Sequence, residues 1–414
     1  MSTSPLALRR LAASELGDLV TNDEIAFNVE PYSEQARAAY LSLLEPERTI
    51  GTFDGATLVG GATIFDFQLS VPGAIVPMAG VSWVSVLPTH RRRGILTALI
   101  RHQLHGLHES GGEPVAGLTA SESAIYGRFG YGQASWSAAV TVQRHRNALR
   151  LPPGPDDITL RMAPSQDEDT VAACAAVYRR RVPERPGMLI LTPAYERFDH
   201  ADFDQARQGR SNLRTILAER DGAAIGYARY RANPARELGL SASRIDVHSV
   251  YADDIAGYGA LMRFLLDIDL SASTDFARMP VDSPLLYLLT DIRAAAPRLV
   301  DSLYIRLVDL DRALAARTYA APIDVVLDVT DGFCPWNAGR WRLAGDEKGA
   351  TCERTQAPAD LAMDVRELGA AFLGGTPLRA LQAAGLVEER RVGAVTEASR
   401  AFRSDVAPWL PVVF

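Results

Sequence analysis

Apolar and polar positions alternate from Arg48 to Val86 in runs divided by turn residues: Thr49 to Phe53, the pair Asp54-Gly55, Leu58 to Leu69, Val71-Pro72-Gly73, then Ala79 to Val86. A period of two with such breaks predicts a β-meander, and Gly60-Gly61 inside the second run predicts a bulge or bend. After Pro88 the period changes. Ile95, Leu96, Leu99, Ile100, Leu104 and Leu107 recur at helical spacing until Gly111-Gly112 stops them, which predicts a helix. A strand near Val115 to Thr119, a short helical stretch around Ser121 to Tyr126 and a strand from about Ser135 to Val142 follow. The segment from Leu151 to Asp157, dense in Pro and Gly, reads as a linker.

Beyond the linker the order of events recurs. Leu213 to Glu219, an Asp221-Gly222 turn, Ala224 to Tyr230 and Arg244 to Val250 form a second meander, and Ile255 to Ile268 a second helix. The chain is therefore expected to fold the same unit twice. Between strand and helix the copies differ: the first carries His90-Arg91-Arg92-Arg93-Gly94, the second Asp253-Asp254-Ile255-Ala256-Gly257. A third region from Leu303 resembles neither copy. It has strands at Val325 to Val329 and Arg340 to Leu343, and helical patterns at Asp364 to Phe372, Pro377 to Ala384 and Thr396 to Arg403. Its end, Pro408 to Phe414, stays apolar to the terminal carboxylate, which implies a docked tail, since chain ends ordinarily fray into water.

Length and composition sharpen this division. A chain of 414 residues, 47% hydrophobic and 22% charged, is globular and too long for a single core. Its net charge of −7 runs against phosphate-gripping nucleic-acid binders and suits a cationic small partner. All its basic residues but Lys348 are arginine, a bias that makes any single Arg a weak functional signal. Cys174, Cys334 and Cys352 are odd in number and far apart, without disulfide or metal-knuckle spacing. No signal-peptide core and no apolar run of about 18 residues occurs, so a soluble, cytoplasmic protein without a membrane partner is expected.

The strongest chemical signal is Arg91-Arg92-Arg93-Gly94-Ile95-Leu96 between a strand and a helix. A glycine turn there aims backbone N–H groups and the positive helix end at a phosphate while arginines add charge, a setting for a pyrophosphate. The nucleotide P-loop and dinucleotide fingerprints are absent, so NTPase and dehydrogenase readings lose support. Asp253 and Asp254 would repel a phosphate at the matching place.

That setting resembles motif A of the GNAT acetyltransferases, R/Q-x-x-G-x-G/A, with Leu96 in place of the small last residue. Over a wider span, Val84 to Gly94, Thr119-Ala120-Ser121-Glu122 with Ile125-Tyr126-Gly127-Arg128-Phe129-Gly130-Tyr131, and a C-terminal Phe414 together resemble the Eis (enhanced intracellular survival) family of GNAT N-acetyltransferases. The resemblance implies an α+β fold with a catalytic GNAT domain (1–150), a GNAT-like domain without cofactor (151–302), a sterol-carrier-protein-like domain (303–414) and a homohexamer.

It also implies site residues. Acetyl-CoA, as co-substrate, would be held by Val84, Ser85 and Val86, by Arg92, Arg93, Gly94, Ile95, Leu96 and Thr97 around the pyrophosphate, and by Ser121 and Glu122. Tyr126 would be the general acid and the carboxylate of Phe414 the general base. A backbone N–H at Val86 suits a developing oxyanion, and a Tyr acid and a carboxylate base both need a desolvated site to match their task. Val81 to Val86 holds no acid or histidine that could serve as the base.

Other features weigh less. His102, His105 and His108 sit three apart on the first long helix with no carboxylate partner in view, and are expected to be surface histidines; no metal is expected. Asp23, Glu24 and Glu30 in the first helical region could face a cationic amine, although helix-surface acids are ordinary. The reading is an acetyl-CoA-dependent N-acetyltransferase of primary amines, aminoglycoside-like polyamines at several positions and also lysine side chains, acting by direct transfer in a ternary complex. The rival is a non-catalytic lipid or small-molecule carrier built on the third region.

Overall fold

The computed structural model describes residues 6–238 and 240–414. The chain forms two compact units, one of Met1–Ser135, Ser302–Pro408 and Val412–Phe414, the other of Trp136–Asp301 and Trp409–Pro411.

The first unit opens with β1 (Ala7–Arg10), α1 (Leu16–Phe27), α2 (Glu34–Leu41), β2 (Thr49–Asp54), β3 (Thr57–Val71), β4 (Ala74–Val86), α3 (Ile95–Glu109), β5 (Val115–Thr119), α4 (Ser123–Tyr126) and β6 (Gly132–Gln133). Strands β1 to β4 pair antiparallel. β3 bulges beside its double glycine, with Val59 the extra residue against β2, while the β3–β4 register slips between Gly61 and Thr63 with the extra residue on β4. Gly61 is also where α1 comes down on the sheet, since a Cβ there would stand 2.4 Å from Leu19 Cδ1. β4 pairs with β5 in parallel through Met78–Gly80 against Val115–Gly117. Beyond these residues the two strands part. Helix α3 crosses from one to the other, burying Ile95, Leu99, Ile100, Leu104 and Leu107, each worth on the order of 1.5–3 kcal/mol on leaving water.

The second unit holds β7 (Trp136–Gln143), β8 (Thr159–Ala163), α5 (Glu168–Arg181), β9 (Arg214–Arg220), β10 (Ala223–Asn233), β11 (Ser243–Ala252), α6 (Ile255–Leu266), β12 (Ser271–Met279) and β13 (Arg298–Asp301). Its sheet runs β13-β7-β12-β11-β10-β9-β8, with β11 and β12 parallel through Val247 and Phe276 and α6 between them. This is the architecture of the first unit again. β7, which a boundary at residue 150 assigns to the first domain, pairs instead with β12 and β13. Its Val140 and Val142 are buried in one cluster with Ile245 and Phe276.

The remaining elements are β14 (Leu303–Leu307), α7 (Leu310–Ala315), β15 (Ile323–Thr330), β16 (Gly339–Asp346), β17 (Gly349–Arg354), β18 (Leu361–Asp364), α8 (Val365–Ala371), α9 (Leu378–Ala383), β19 (Val387–Glu389) and α10 (Ala394–Ala401). β14 inserts between β5 and β6 of the first sheet. Each repeat thus takes the strand beside β5 or β12 from the end of the other copy. β15 to β19 form a separate sheet, β17-β16-β15-β18-β19. Arg317 is 1% exposed at its core, donating to the carbonyls of Phe402 at 2.9 Å and Thr318 at 3.1 Å. Helix α8 lies directly on β6: a Cβ on Gly132 would stand 1.9 Å from Arg366 O, so only glycine is admitted. The apolar tail is docked, with Trp409, Leu410 and Val412 all buried. No helix among the described residues is long and apolar enough to cross a membrane.

Candidate active site

Where β4 and β5 part, a cleft of about 650 Å³ opens along the N-terminus of α3. Its floor is the turn between β4 and α3. Arg92 takes φ 62° and Gly94 φ 81°, both left-handed, which turns the chain so sharply that Gly94 caps α3 without any side-chain acceptor on the helix N–H groups. Those donors and the positive end of the helix dipole open on the cleft, a setting that attracts an anion. A Cβ on Gly94 would meet nothing within 4 Å, so glycine is there for its backbone conformation rather than for space. The donor set fits a pyrophosphate.

Of the residues singled out in the sequence, Val84, Ser85, Val86, Arg92, Gly94, Ile95, Leu96, Thr97, Ser121, Glu122 and Tyr126 all line this cleft. Arg93 does not; its guanidinium stands 3.7 Å from the Asp54 carboxylate, which also meets His90 at 3.3 Å. Ala26, Phe27, His90, Arg91, Ile125 and Arg128 complete the lining. Arg91 was visible as the first residue of the loop motif. Nothing local in the sequence points to Ala26 and Phe27, which arrive because Arg91 Nη2 donates to the Ala26 carbonyl at 2.7 Å and ties the end of α1 to the loop.

On β4, Trp83 takes φ 52° within the slip, where Trp83 and Val84 oppose the single residue Ala62 of β3, a left-handed residue inside a strand and hence local strain of the kind stored at working sites. The Leu87 N–H bonds the Val59 carbonyl of β3 at 2.9 Å. By strand alternation the Val86 N–H points the other way, into the opening between β4 and β5. The Ser85 hydroxyl is spent on Asn22 Oδ1 at 2.9 Å, and Asn22 Nδ2 bonds the Leu58 carbonyl at 3.1 Å, so α1 is pinned against both strands.

Tyr126 is 7% exposed, and burial pushes its hydroxyl up to about 12; it is a phenol, not a phenolate, at neutral pH. Phe414, unlike Tyr126, does not line the cleft. Its ring lies 4.9 Å from Phe67, and the Thr119 hydroxyl donates to its terminal oxygen at 3.4 Å, two residues before Ser121.

One turn before Ala26 on the same helix, Asp23 is held up at about 7 by burial and by the charge of Glu24. Its charge reaches the hydroxyls of Tyr32 and Tyr40, which burial pushes upward. Tyr32 and Tyr40 pack with tilted rings 4.7 Å apart, and Tyr40 meets Trp83 edge-on at 5.1 Å. An acid among aromatic faces is chemistry for an ammonium group. Glu24 is occupied by the Tyr32 N–H at 2.8 Å and by Arg37 at 3.5 Å, and Glu30 lies past the end of α1, exposed.

The matching turn of the second unit is filled by its own side chains. Asp254 caps α6 by accepting from the Gly257 N–H at 2.8 Å, and pairs with Arg220 at 2.6 Å. Asp253 pairs with Arg180 at 2.7 Å. A carboxylate stands where the first unit leaves donors free.

The histidines of α3 correct the surface assignment in part. His102 is exposed, but His108 stacks on Trp336 at 4.1 Å with Nδ1 2.6 Å from Asp309 Oδ1, and His105 meets the same indole edge-on at 4.9 Å. The carboxylate lies 201 residues away in sequence and could not be seen from the helix. Among the described residues no group of three potential ligands gathers.

Residues 7–134 and 165–307 each match a family model described as an acetyltransferase (GNAT) domain, and residues 310–411 one described as a sterol carrier protein domain. The fold and its matches define a GNAT N-acetyltransferase, an acyltransferase of the class that uses acetyl-CoA. The chain is 49% identical to an uncharacterized N-acetyltransferase of Streptomyces avermitilis over 93% of its length and 94% of the relative's. It is 34% identical to the N-acetyltransferase Eis of Mycobacterium tuberculosis over 86% of each. The crystal structure of Eis1 from Mycobacterium abscessus matches at TM-score 0.84 and 35% identity, covering 99% of this chain and all of that one. The chain belongs to the Eis family of GNAT N-acetyltransferases.

Proposed function

We propose that the first unit transfers acetyl from acetyl-CoA to primary amines of polycationic acceptors, aminoglycoside-like polyamines at several positions and lysine side chains, by direct attack in a ternary complex. The observation that carries this reading is the single cleft that joins the left-handed Arg92–Gly94 turn to the opening between β4 and β5, with Tyr126 on its wall. Acetyl-CoA supplies an activated thioester there. Arg92 and the N–H groups opening α3 would hold its pyrophosphate, with Arg93 adding charge nearby, and the Val84–Val86 edge its pantetheine.

The chain's own groups divide the remaining work. The Val86 N–H holds the negative charge that builds on the acyl oxygen. Tyr126 gives its proton to the departing sulfur. The Phe414 carboxylate takes the proton that the amine releases, and desolvation beside an ammonium raises its basicity. Asp23 with Tyr32, Tyr40 and Trp83 receives a second cationic group of the acceptor, an arrangement that would favour polyamines. The same reading carries three domains in a homohexamer, with the sterol-carrier-like region delivering the terminus.

The test is release of free CoA from acetyl-CoA against a panel of aminoglycosides, linear polyamines and lysine peptides, with mass spectrometry of the products. Amine-dependent release with products bearing more than one acetyl group is expected. Hydrolysis indifferent to added amine would end this reading.

A further inference from the structure

The opening between β4 and β5 has a counterpart in the second unit. Pairing of β11 with β12 ends at Val247 and Phe276, and from that pair onward a cavity of about 70 Å³ is lined by the two strands, by α6 and by Trp409 and Pro411 of the tail. Its walls are apolar. Met262, Phe276 and Met279 are buried, as are Tyr251 and Trp409, whose rings lie 6.0 Å apart. Trp409 is anchored by its backbone N–H, which donates to the Pro186 carbonyl at 2.9 Å.

Most polar side chains of the lining are committed to protein partners. The Tyr258 and Ser283 hydroxyls bond each other at 3.1 Å, and the Ser249 hydroxyl accepts from the buried Arg229 at 2.8 Å. Two donors are unspent. The indole N–H of Trp409, a residue 8% exposed, meets no hydrogen-bond partner among the described residues, which is rare for a buried donor. Arg278, exposed where it lines the cavity, takes neither a hydrogen bond nor an ion pair among the described residues. The lining contains no carboxylate that could answer it.

These features select a ligand class. The volume of about 70 Å³ is about half that of a 150 Å³ cavity that holds benzene, so the apolar body is short, about three or four carbons. An unpaired guanidinium without a neighbouring acid favours an anionic end over an ammonium. A coenzyme or nucleotide phosphate is excluded, because Asp254 already caps α6 at the adjoining turn and Asp253 stands beside it.

We propose that this cavity is a second binding site, for a small monocarboxylate with a short apolar tail. The tail lies against Met262, Phe276 and Met279, and the carboxylate accepts hydrogen bonds from Arg278 and from the Trp409 indole. The site is independent of the acetyl transfer proposed for the first unit.

Isothermal titration of the full chain with sodium butyrate, butyramide and butylamine tests it, with CoA held at saturation so that the first cleft is filled. Butyrate is expected to bind with a Kd on the order of a millimolar, at least about tenfold tighter than the amide or the amine, the scale of one hydrogen bond to a charged group. Arg278→Gln should abolish that preference and Arg278→Lys retain part of it, with acetyl-CoA affinity and the thermal midpoint unchanged in both. Trp409→Phe keeps an aromatic ring without the N–H and should weaken butyrate binding by about three- to tenfold. Absence of saturable butyrate binding, equal affinity for the amide, or a preference that survives Arg278→Gln would overturn the proposal.

Discussion

The ring of Phe414 packs at Gly80 beside that of Phe67: where a Cβ on that glycine would sit, Phe67 Cδ2 stands 2.5 Å away and Phe414 Cε2 3.2 Å. Gly80 is the last residue of β4 to pair with β5, so the chain terminus lies where the two strands begin to part.

Deleting Phe414, or extending the chain beyond it, should lower kcat by ~10²–10⁴-fold, the range of a lost acid–base group. Acetyl-CoA affinity and the thermal midpoint should change little, and an N-terminal tag should be harmless. Kinetics beside differential scanning fluorimetry check this; a C-terminally extended protein that turns over normally would return the terminus to a packing role.

Arg92 and Arg93 are neighbours in sequence with different surroundings, and charge reversal should separate them. Arg92→Glu faces the cleft and should raise the acetyl-CoA KM by on the order of tenfold or more, leaving the amine KM nearly unchanged. Arg93→Glu, directed at Asp54, should do less. Gly94→Ala meets no clash but forces alanine to a positive φ, at a cost of about 1–2 kcal/mol, so lost cofactor affinity should accompany a lower midpoint. Isothermal titration with acetyl-CoA measures all three.

Burial and the charge of Glu24 hold Asp23 up at about 7, so it loses its negative charge as pH falls through neutrality. The KM for a polycationic acceptor should therefore rise below pH about 7, and Asp23→Asn should raise it at all pH values and flatten that dependence. Stability runs the other way. Between its ordinary value near 3.8 and about 7 the folded chain keeps a proton that the unfolded chain releases, so this group's contribution declines as pH rises through that window. Asp23→Asn should gain more in midpoint at pH 8 than at pH 5. Equal gains at both would place the Asp23 charge in water.

One acetyl-CoA should bind per chain. In the second unit Asp254 already occupies the α6 N-terminus and both aspartates are paired with arginines. Asp254→Ala should cost about 1 kcal/mol of capping without adding a site, because Asp253 still faces the turn. A calorimetric stoichiometry near two would contradict this.

Periodicity alone located the meanders, α3 and α6 and the duplication, because apolar spacing reports which face of a strand or helix is buried. It could not say which sheet β7 and β14 join, since an alternating strand is satisfied by either and the exchange is settled by long-range packing. The loop arginines were legible because their chemistry lies in one contiguous stretch, while Tyr126 was reached only through the family resemblance. Phe27 and the aromatic neighbours of Asp23 were not, for they reach the site through a helix packed over the sheet.

The sequence by itself determined the local conformations: a left-handed glycine before α3, a double glycine that bulges β3, a basic first loop and an acidic second one. These follow from short-range sterics and charge. Tertiary structure decided what those pieces meet. It turned Arg93 toward Asp54 and Arg91 toward α1, gave His108 a carboxylate partner, and buried Arg306 against Asp331. Each of these depends on residues far apart in the chain, and only the packing of one element on another, driven by burial of their apolar faces, brings them within bonding distance.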